Sequence, residues 1–281
     1  TLNKYYLVQR KLKELAPNLH MNELNRQSYQ KILNLYAERH EKTTTLDFHH
    51  HLKASLFDAV DDGLLKADPT RRAIIKGCSP SDKKLKYLNL FDLQTLLRSL
   101  NLREELNWDW FFYLIAKTGL RFAEALALTP EDFNFEKQSI IINKSWNYKE
   151  KHGHFQPTKN ESSNRTVMVD WQLMQQFQVM INNKELNQPI FFSKEQRIYN
   201  STLNQKLASL CKNNDIPVIS IHGLRHTHAS LLLYEGVSIA SVAKRLGHNN
   251  TTTTQETYIH IIRELENKDN DKILHHLSQL T

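Results

Sequence analysis

Through residues 1–80 the apolar positions recur at helical spacing: Tyr6 and Leu7 with Leu12 and Leu15, then Tyr29, Ile32, Leu33 and Tyr36, then Leu46, Phe48, Leu52, Leu56, Phe57 and Val60. The pattern predicts a bundle of amphipathic helices, the last closed by Asp62 and Gly63 and followed by a turn at Asp68 and Pro69. Residues 76–86 mix Gly, Pro, Ser and charge, which is linker composition. Beyond them a helix follows Leu88 to Asp92, then a longer apolar one around residues 106–117, broken at Gly119. The helix that resumes turns Phe122, Ala125, Leu126 and Leu128 inward. Between residues 135 and 170 the period changes to that of strands. Segments 139–143 and 165–170 are β-branched, and the residues between them include Gly153, Pro157 and the polar run Asn160 to Asn164. A small antiparallel sheet is expected there. Helices return at Trp171 to Ile181, at Leu203 to Leu210 and again from His222, with Gly236 and Gly247 as stops. The fold class is therefore mainly α with a small antiparallel β-sheet, in two domains, 1–80 and 81–281.

Composition narrows the partner. The 281 residues carry 37 Lys and Arg against 30 Asp and Glu, a net charge of +7. Residues 1–80 hold 13 of those cations and 9 of those acids, so the smaller part is proportionately the more basic, as suits a polyanionic partner. Two distant cysteines, Cys78 and Cys211, make no disulfide framework and suit a reduced setting, cytoplasmic and nucleoid-associated. No apolar run approaches a membrane span and no signal peptide is visible. The triplet His49, His50 and His51 suggests a metal, but adjacent helical residues point about 100° apart and do not converge on one ion.

The chemistry concentrates between His222 and Tyr258. His222 and Arg225 stand three residues apart, one face of a helix; His248 follows 23 residues after Arg225 and Tyr258 ten after that. A guanidinium fork matches two phosphate oxygens, and an imidazole beside it supplies a donor or a proton relay. A tyrosine hydroxyl, with an ordinary pKa near 10, needs a cationic pocket to become reactive. Upstream, Arg121 sits at a helix entrance, where backbone N–H groups also favour anions. Alone, each of these residues reads as surface decoration or packing; together they form a phosphate site with its own nucleophile. His222, His226 and His228 lack the carboxylate of a zinc-binding helix, so no catalytic metal is expected. Ser238 to Leu246 also fits a helix-turn-helix DNA binder, a reading that leaves Tyr258 unexplained.

The segments Thr118 to Arg121 with Glu124 to Leu126, then His222 to Ala229, Leu246 to His248 and Tyr258, resemble the tyrosine recombinases, specifically the phage and mobile-element integrases. The resemblance is close over roughly residues 84–265 and looser before them. It implies a helical core-binding domain in 1–80 and a mixed α/β catalytic domain in 81–281. Relatives carry an earlier helix and often a small arm-binding domain, so a chain opening on Thr1 resembles a shortened relative. The implied reaction is strand exchange through a 3′-phosphotyrosyl bond formed by Tyr258, with Arg121 and Arg225 on the non-bridging oxygens, His248 donating to the same phosphate and His222 assisting proton transfer. The turn at Pro157 to Asn160, expected at the hairpin tip before the last strand, matches the place of the family's catalytic lysine, which makes Lys159 the acid for the leaving 5′-oxygen ahead of Lys144, Lys149 and Lys151. Glu124 is expected to orient rather than catalyse. Because the phosphotyrosyl ester retains the energy of the broken bond, the family needs no cofactor, neither ATP nor metal. The implied partners are double-stranded DNA recombination sites, other protomers in a tetramer on DNA, and accessory DNA-bending or directionality proteins. The alternatives are a type IB topoisomerase-like enzyme and a nonenzymatic DNA-binding regulator. The apolar spacing from Ile259 to Leu280 suits a helix docking in a groove, in cis or on a neighbour.

Overall fold

The computed structural model describes residues 2–79, 87–150, 152–258 and Ser278. The chain divides into two compact units, Thr1–Lys83 and Lys84–Thr281.

In the first unit, helices α1 (Leu2–Leu15), α2 (Arg26–Ala37) and α3 (Lys42–Asp61) pack on one another. Asn25 starts α2: its side-chain oxygen accepts from the amides of Gln27 and Ser28 at 2.9 and 3.1 Å, satisfying donors that a helix start leaves open. The core is Tyr29, Ile32, Leu33, Phe48 and Leu52, with Val8, Leu12 and Leu15 against it. Each histidine of the triplet has a separate environment. His49 turns inward and shares a 2.8 Å hydrogen bond with the Tyr29 hydroxyl, His50 is exposed, and His51 is 2.6 Å from the Asp47 carbonyl. The linker composition is misleading at its start, because the Cys78 amide donates to the His40 carbonyl at 2.9 Å. A Cβ on Gly77 would stand 2.1 Å from the Lys42 nitrogen, so only glycine allows that approach. Residues 80–86 lie outside the described residues. Beside α2 runs a groove of about 1210 Å³ whose lining includes Arg26, Lys31, Lys66, Arg71 and Arg72. Gln30 fastens one wall, its side chain bonding the Ile74 amide at 2.8 Å and the Ile74 carbonyl at 2.9 Å.

The second unit opens with α4 (Leu90–Ser99), α5 (Trp108–Thr118) and the short α6 (Phe122–Leu126). Strands β1 (Phe133–Asn134), β2 (Ser139–Ile142), β3 (Lys144–Trp146), β4 (Phe155–Pro157) and β5 (Arg165–Met168) follow. Next come α7 (Trp171–Ile181), α8 (Asn200–Asn213), α9 (Ile221–Tyr234) and α10 (Ile239–Leu246), and residues 251–258 are helical, here α11. Strand β2 pairs antiparallel with β5, Ile140 opposite Val167, and with β1, placing Ile140, Ile142 and Val167 in the core. The second hairpin, β3 with β4, occupies a stretch that the sequence reads as turns. Three residues per strand are too few to display alternation. Their link is Trp146 opposite Phe155, rings edge to face at 4.9 Å. Its tip is therefore 147–154, and Lys159 lies past β4 in the connection to β5 rather than at a hairpin tip. Helix α5 is the centre of the unit: Phe111, Phe112, Leu114 and Ile115 are fully buried, and α9 packs along it. The residues after Tyr258, with the apolar tail, lie outside the described residues save Ser278. Among the described residues no helix is long and apolar enough to cross a membrane.

Candidate active site

Ser220 caps α9, its hydroxyl accepting from the Gly223 amide at 3.1 Å, and the first turns that follow hold His222, Arg225, His226 and His228. His222, three and four residues before Arg225 and His226, lies on their side of the helix, whereas His228 points away from it. Arg225 points inward, 3% exposed, and donates through Nη1 to the Gly119 carbonyl at 2.6 Å and through Nη2 to the Leu246 carbonyl at 2.7 Å. Burial, then the neighbouring Arg121, pulls its pKa down to about 9, still a cation at neutral pH. These two carbonyls leave other N–H donors of the guanidinium for an anion.

Gly119 makes the Arg225 contact available. It ends α5 at φ +69°, and a Cβ there would stand 2.7 Å from the His228 ring. Two residues on, Arg121 begins α6. The anion at this helix entrance is internal: the Arg121 amide donates to Glu124 Oε2 at 2.9 Å, so that N–H is already engaged. Arg121 Nη1 also donates to Glu124 Oε1 at 2.6 Å and to Ser163 Oγ at 3.2 Å, and Nη2 to the Gly247 carbonyl at 2.8 Å. Glu124 Oε2 accepts in addition from Arg165 Nη2 at 2.9 Å. Burial would raise the Glu124 pKa, but the charges of Arg165 and Arg121 outweigh it and hold it at about 2.

The end of α10 gathers these arginines. The Arg245 carbonyl accepts from Arg165 Nε at 2.7 Å, the Leu246 carbonyl from Arg225 and the Gly247 carbonyl from Arg121. Carbonyls at a helix C-terminus lack intrahelical partners and carry the negative end of the dipole, so three successive residues each engage a guanidinium. His228 fixes the opposite side. Its Nδ1–H donates to the Ala116 carbonyl at 2.9 Å while Nε2 accepts from Arg245 Nε at 2.9 Å, a neutral tautomer whose pKa burial and Arg245 push down to about 3. It is a structural histidine.

Gly247, at φ +69°, turns the chain out of α10 into His248. His248 Nδ1 and the Thr254 hydroxyl share a 2.7 Å hydrogen bond, and burial, with Arg225 and Arg121, lowers the imidazole pKa to about 4. Asn250 caps α11, accepting from the Thr253 amide at 3.1 Å. Thr254 is one turn before Tyr258 on the same face, so His248 anchors the helix that carries the tyrosine. Tyr258 is 2% exposed and packs with Ala229, Leu233, Val242 and Leu246. Its hydroxyl lies 2.9 Å from His226 Nδ1. The cationic surroundings do not lower its pKa: burial outweighs Arg225 and pushes it up to about 12. The His222 ring meets that of His226 edge to face at 4.6 Å. His222 is exposed and its ring is reachable from solvent, while partial desolvation, then Arg225 and Arg121, lower its pKa.

Arg121, Arg225, His248 and Tyr258 thus form one connected set, with His222 joined to it through His226. Lys159 stands on its edge, exposed on the β4–β5 connection, which Ser162 ties to Asn249 by a hydrogen bond. Of the competing lysines, Lys144 is held by Asp132 at 2.6 Å and Thr129 at 3.0 Å, Lys149 is exposed on the β3–β4 tip, and Lys151 lies outside the described residues. Sequence reasoning missed His226, Arg165, Ser163 and Thr254. The position of His226 directly after Arg225 is a signal for the first; a strand arginine, a serine and a threonine offer none.

Comparison with known proteins identifies the family. The family model described as "Phage integrase family" matches residues 86–264, and the chain belongs to that family. Curated relatives include the ICEBs1 integrase of Bacillus subtilis (strain 168), 26% identical over 78% of this chain and 62% of that protein, and the integrase of Staphylococcus phage L54a, 30% identical over 54% of this chain and 49% of that protein. The chain therefore spans about half to two-thirds of these relatives. Among solved structures, the Tn1549 transposon integrase in complex with a circular intermediate DNA superposes with a TM-score of 0.72 at 16% identity, covering 92% of this chain and 90% of that one. A lambda integrase dimer bound to a COC' core site gives 0.65 at 12% identity, covering 92% and 87%. These likenesses show a shared fold.

Proposed function

We propose that this protein is a site-specific DNA recombinase that cleaves and rejoins strands through a 3′-phosphotyrosyl intermediate, integrating or excising a mobile element. The observation that carries the reading is Tyr258 held against His226 on a helix anchored by His248, beside the buried cation Arg225. Tyr258 attacks the scissile phosphorus and releases a 5′-hydroxyl. Arg121 and Arg225 stabilise the non-bridging oxygens as charge accumulates, and their fixed partners mean that little reorganisation is needed at that moment. His248 donates to the same phosphate, His222 assists proton transfer from its solvent-facing position, and Lys159 protonates the departing 5′-oxygen. Bond energy is kept in the phosphotyrosyl ester, so no cofactor is invoked.

The first unit, as a core-type DNA-binding domain in residues 1–80, grips the recombination site through its basic groove, and residues 81–281 form the catalytic domain. The remaining partners are further protomers in a tetramer on DNA and accessory DNA-bending or directionality proteins, with the protein acting on DNA in the cytoplasm. Incubation with a nicked suicide substrate carrying candidate attachment sites tests the reading. The wild-type chain is expected to give a denaturant-resistant DNA adduct, and the Tyr258→Phe variant to bind DNA without forming one. An adduct that survives in Tyr258→Phe removes Tyr258 as nucleophile. Supercoil relaxation with no recombinant product would point instead to a topoisomerase-like activity.

A further inference from the structure

We propose that His226 is the proton acceptor for Tyr258, taking the phenolic proton on Nδ1 as the tyrosine oxygen bonds to phosphorus. The proposal rests on the recombinase reading and assigns a residue that this reading leaves idle. The geometry is direct: among the described residues the acceptor within reach of the Tyr258 hydroxyl is His226 Nδ1, at 2.9 Å, inside the range for a proton transfer without a bridging water. The need is chemical. Tyr258 is buried with its hydroxyl held in the neutral form, so attack requires a base at that oxygen. The neighbouring groups do not serve. Arg225 is a donor throughout, and His248 Nδ1 is committed to Thr254 at 2.7 Å.

His222 is placed differently. It reaches the tyrosine side of the site through the His226 ring, which meets its own ring edge to face at 4.6 Å and that of Tyr258 at 5.7 Å. The step balances. The bond from Tyr258 Oη to phosphorus forms, the bond from phosphorus to O5′ breaks, the phenolic proton passes to His226 Nδ1, and O5′ takes a proton from Lys159. In rejoining, the imidazolium returns its proton to the departing phenolate.

The test separates proton transfer from structure. His226→Phe and His226→Asn are compared with wild type in single-turnover cleavage of the suicide substrate; Asn offers an acceptor oxygen near the place of Nδ1 but no proton acceptor. Both are expected to slow cleavage by about 10²-fold or more. Each is then combined with Tyr258→Phe and asked to join a 5′-hydroxyl strand to a DNA end carrying a 3′-(p-nitrophenyl) phosphate. That leaving group departs without a proton, so joining is expected at the rate of Tyr258→Phe alone, which also shows that the variants fold and assemble the phosphate site. Cleavage within fivefold of wild type in His226→Asn would overturn the proposal in favour of a positioning role. Joining slowed in parallel with cleavage would overturn it in favour of a phosphate-binding or structural role. If the wild-type protein makes no adduct and Tyr258→Phe joins no activated end, it is the recombinase reading that has failed.

Discussion

The arginines of the site do two things at once, and substitutions separate them. Arg225 holds two backbone carbonyls, Gly119 and Leu246, and in the proposed reaction presents its remaining donors to the phosphate. Arg225→Ala is therefore expected to lower the cleavage rate by about 10²- to 10³-fold and to reduce stability, since each carbonyl left buried and unpaired costs about 1–3 kcal/mol. Among the described residues Lys159 has no such structural duty on its exposed connection. Lys159→Ala is expected to melt like wild type, to cleave an ordinary substrate slowly, and to recover on a substrate with bridging 5′-sulfur, because a thiolate leaves without a proton. Arg225→Ala stays slow on both. Rescue of Arg225→Ala by sulfur, or none of Lys159→Ala, would exchange their roles. At this scale the sequence was legible wherever a residue type has few other uses in such spacing, as for Arg121, Arg225 and His248. It was silent on Arg165, whose importance comes from a fold that brings β5 against α6 and the end of α10.

Elements meet at Glu124, which joins α6 to β5 through Arg121 and Arg165. Its carboxyl sits at about 2 in the folded protein against an ordinary value of 4.5, so the stability it contributes is complete above pH 4.5 and is lost as pH falls from 4.5 towards 2. The expected size is on the order of 3 kcal/mol. Denaturant unfolding at pH 6 and pH 3 should show Glu124→Gln with a much smaller pH dependence than wild type; equal dependence would mean that other carboxylates carry the acid limb. Element existence was readable from period and from caps such as Asn25 and Ser220. The β3–β4 hairpin was not, since its signature is the meeting of Trp146 and Phe155 across eight residues of intervening chain.

For the whole molecule, the uneven charge of the chain now has a place. The groove of the first unit is lined in part by Arg26, Lys31, Lys66, Arg71 and Arg72, which the sequence shows only as a regional excess. If these side chains neutralise phosphates, log affinity falls linearly with log salt, with a slope near −0.9 per contact. Lys31→Ala with Arg71→Ala is expected to make that slope shallower by up to about 2 while leaving joining of an activated DNA end at saturating DNA unchanged. An unchanged slope would place the groove outside the DNA contact.

The cluster at the end of α10 has a consequence for the protein before it meets DNA. Arg121 and Arg165 share the carboxylate of Glu124, while Arg225 and Arg245 are held by backbone carbonyls and, for Arg245, by His228; the lowered pKa of Arg225 and of Arg245 reflects burial first and the neighbouring guanidinium second. Such a site is under-neutralised when empty. Whatever anion enters it relieves the repulsion, so the folded state should tighten as the site fills, by RT ln(1 + [L]/Kd) for a ligand L. Sulfate or vanadate, as phosphate mimics, should raise the melting temperature at constant ionic strength, and the gain should shrink in Arg121→Ala. Resistance to heat and proteolysis is thus tied to occupancy, which makes the protein with its anion site empty the most perishable form.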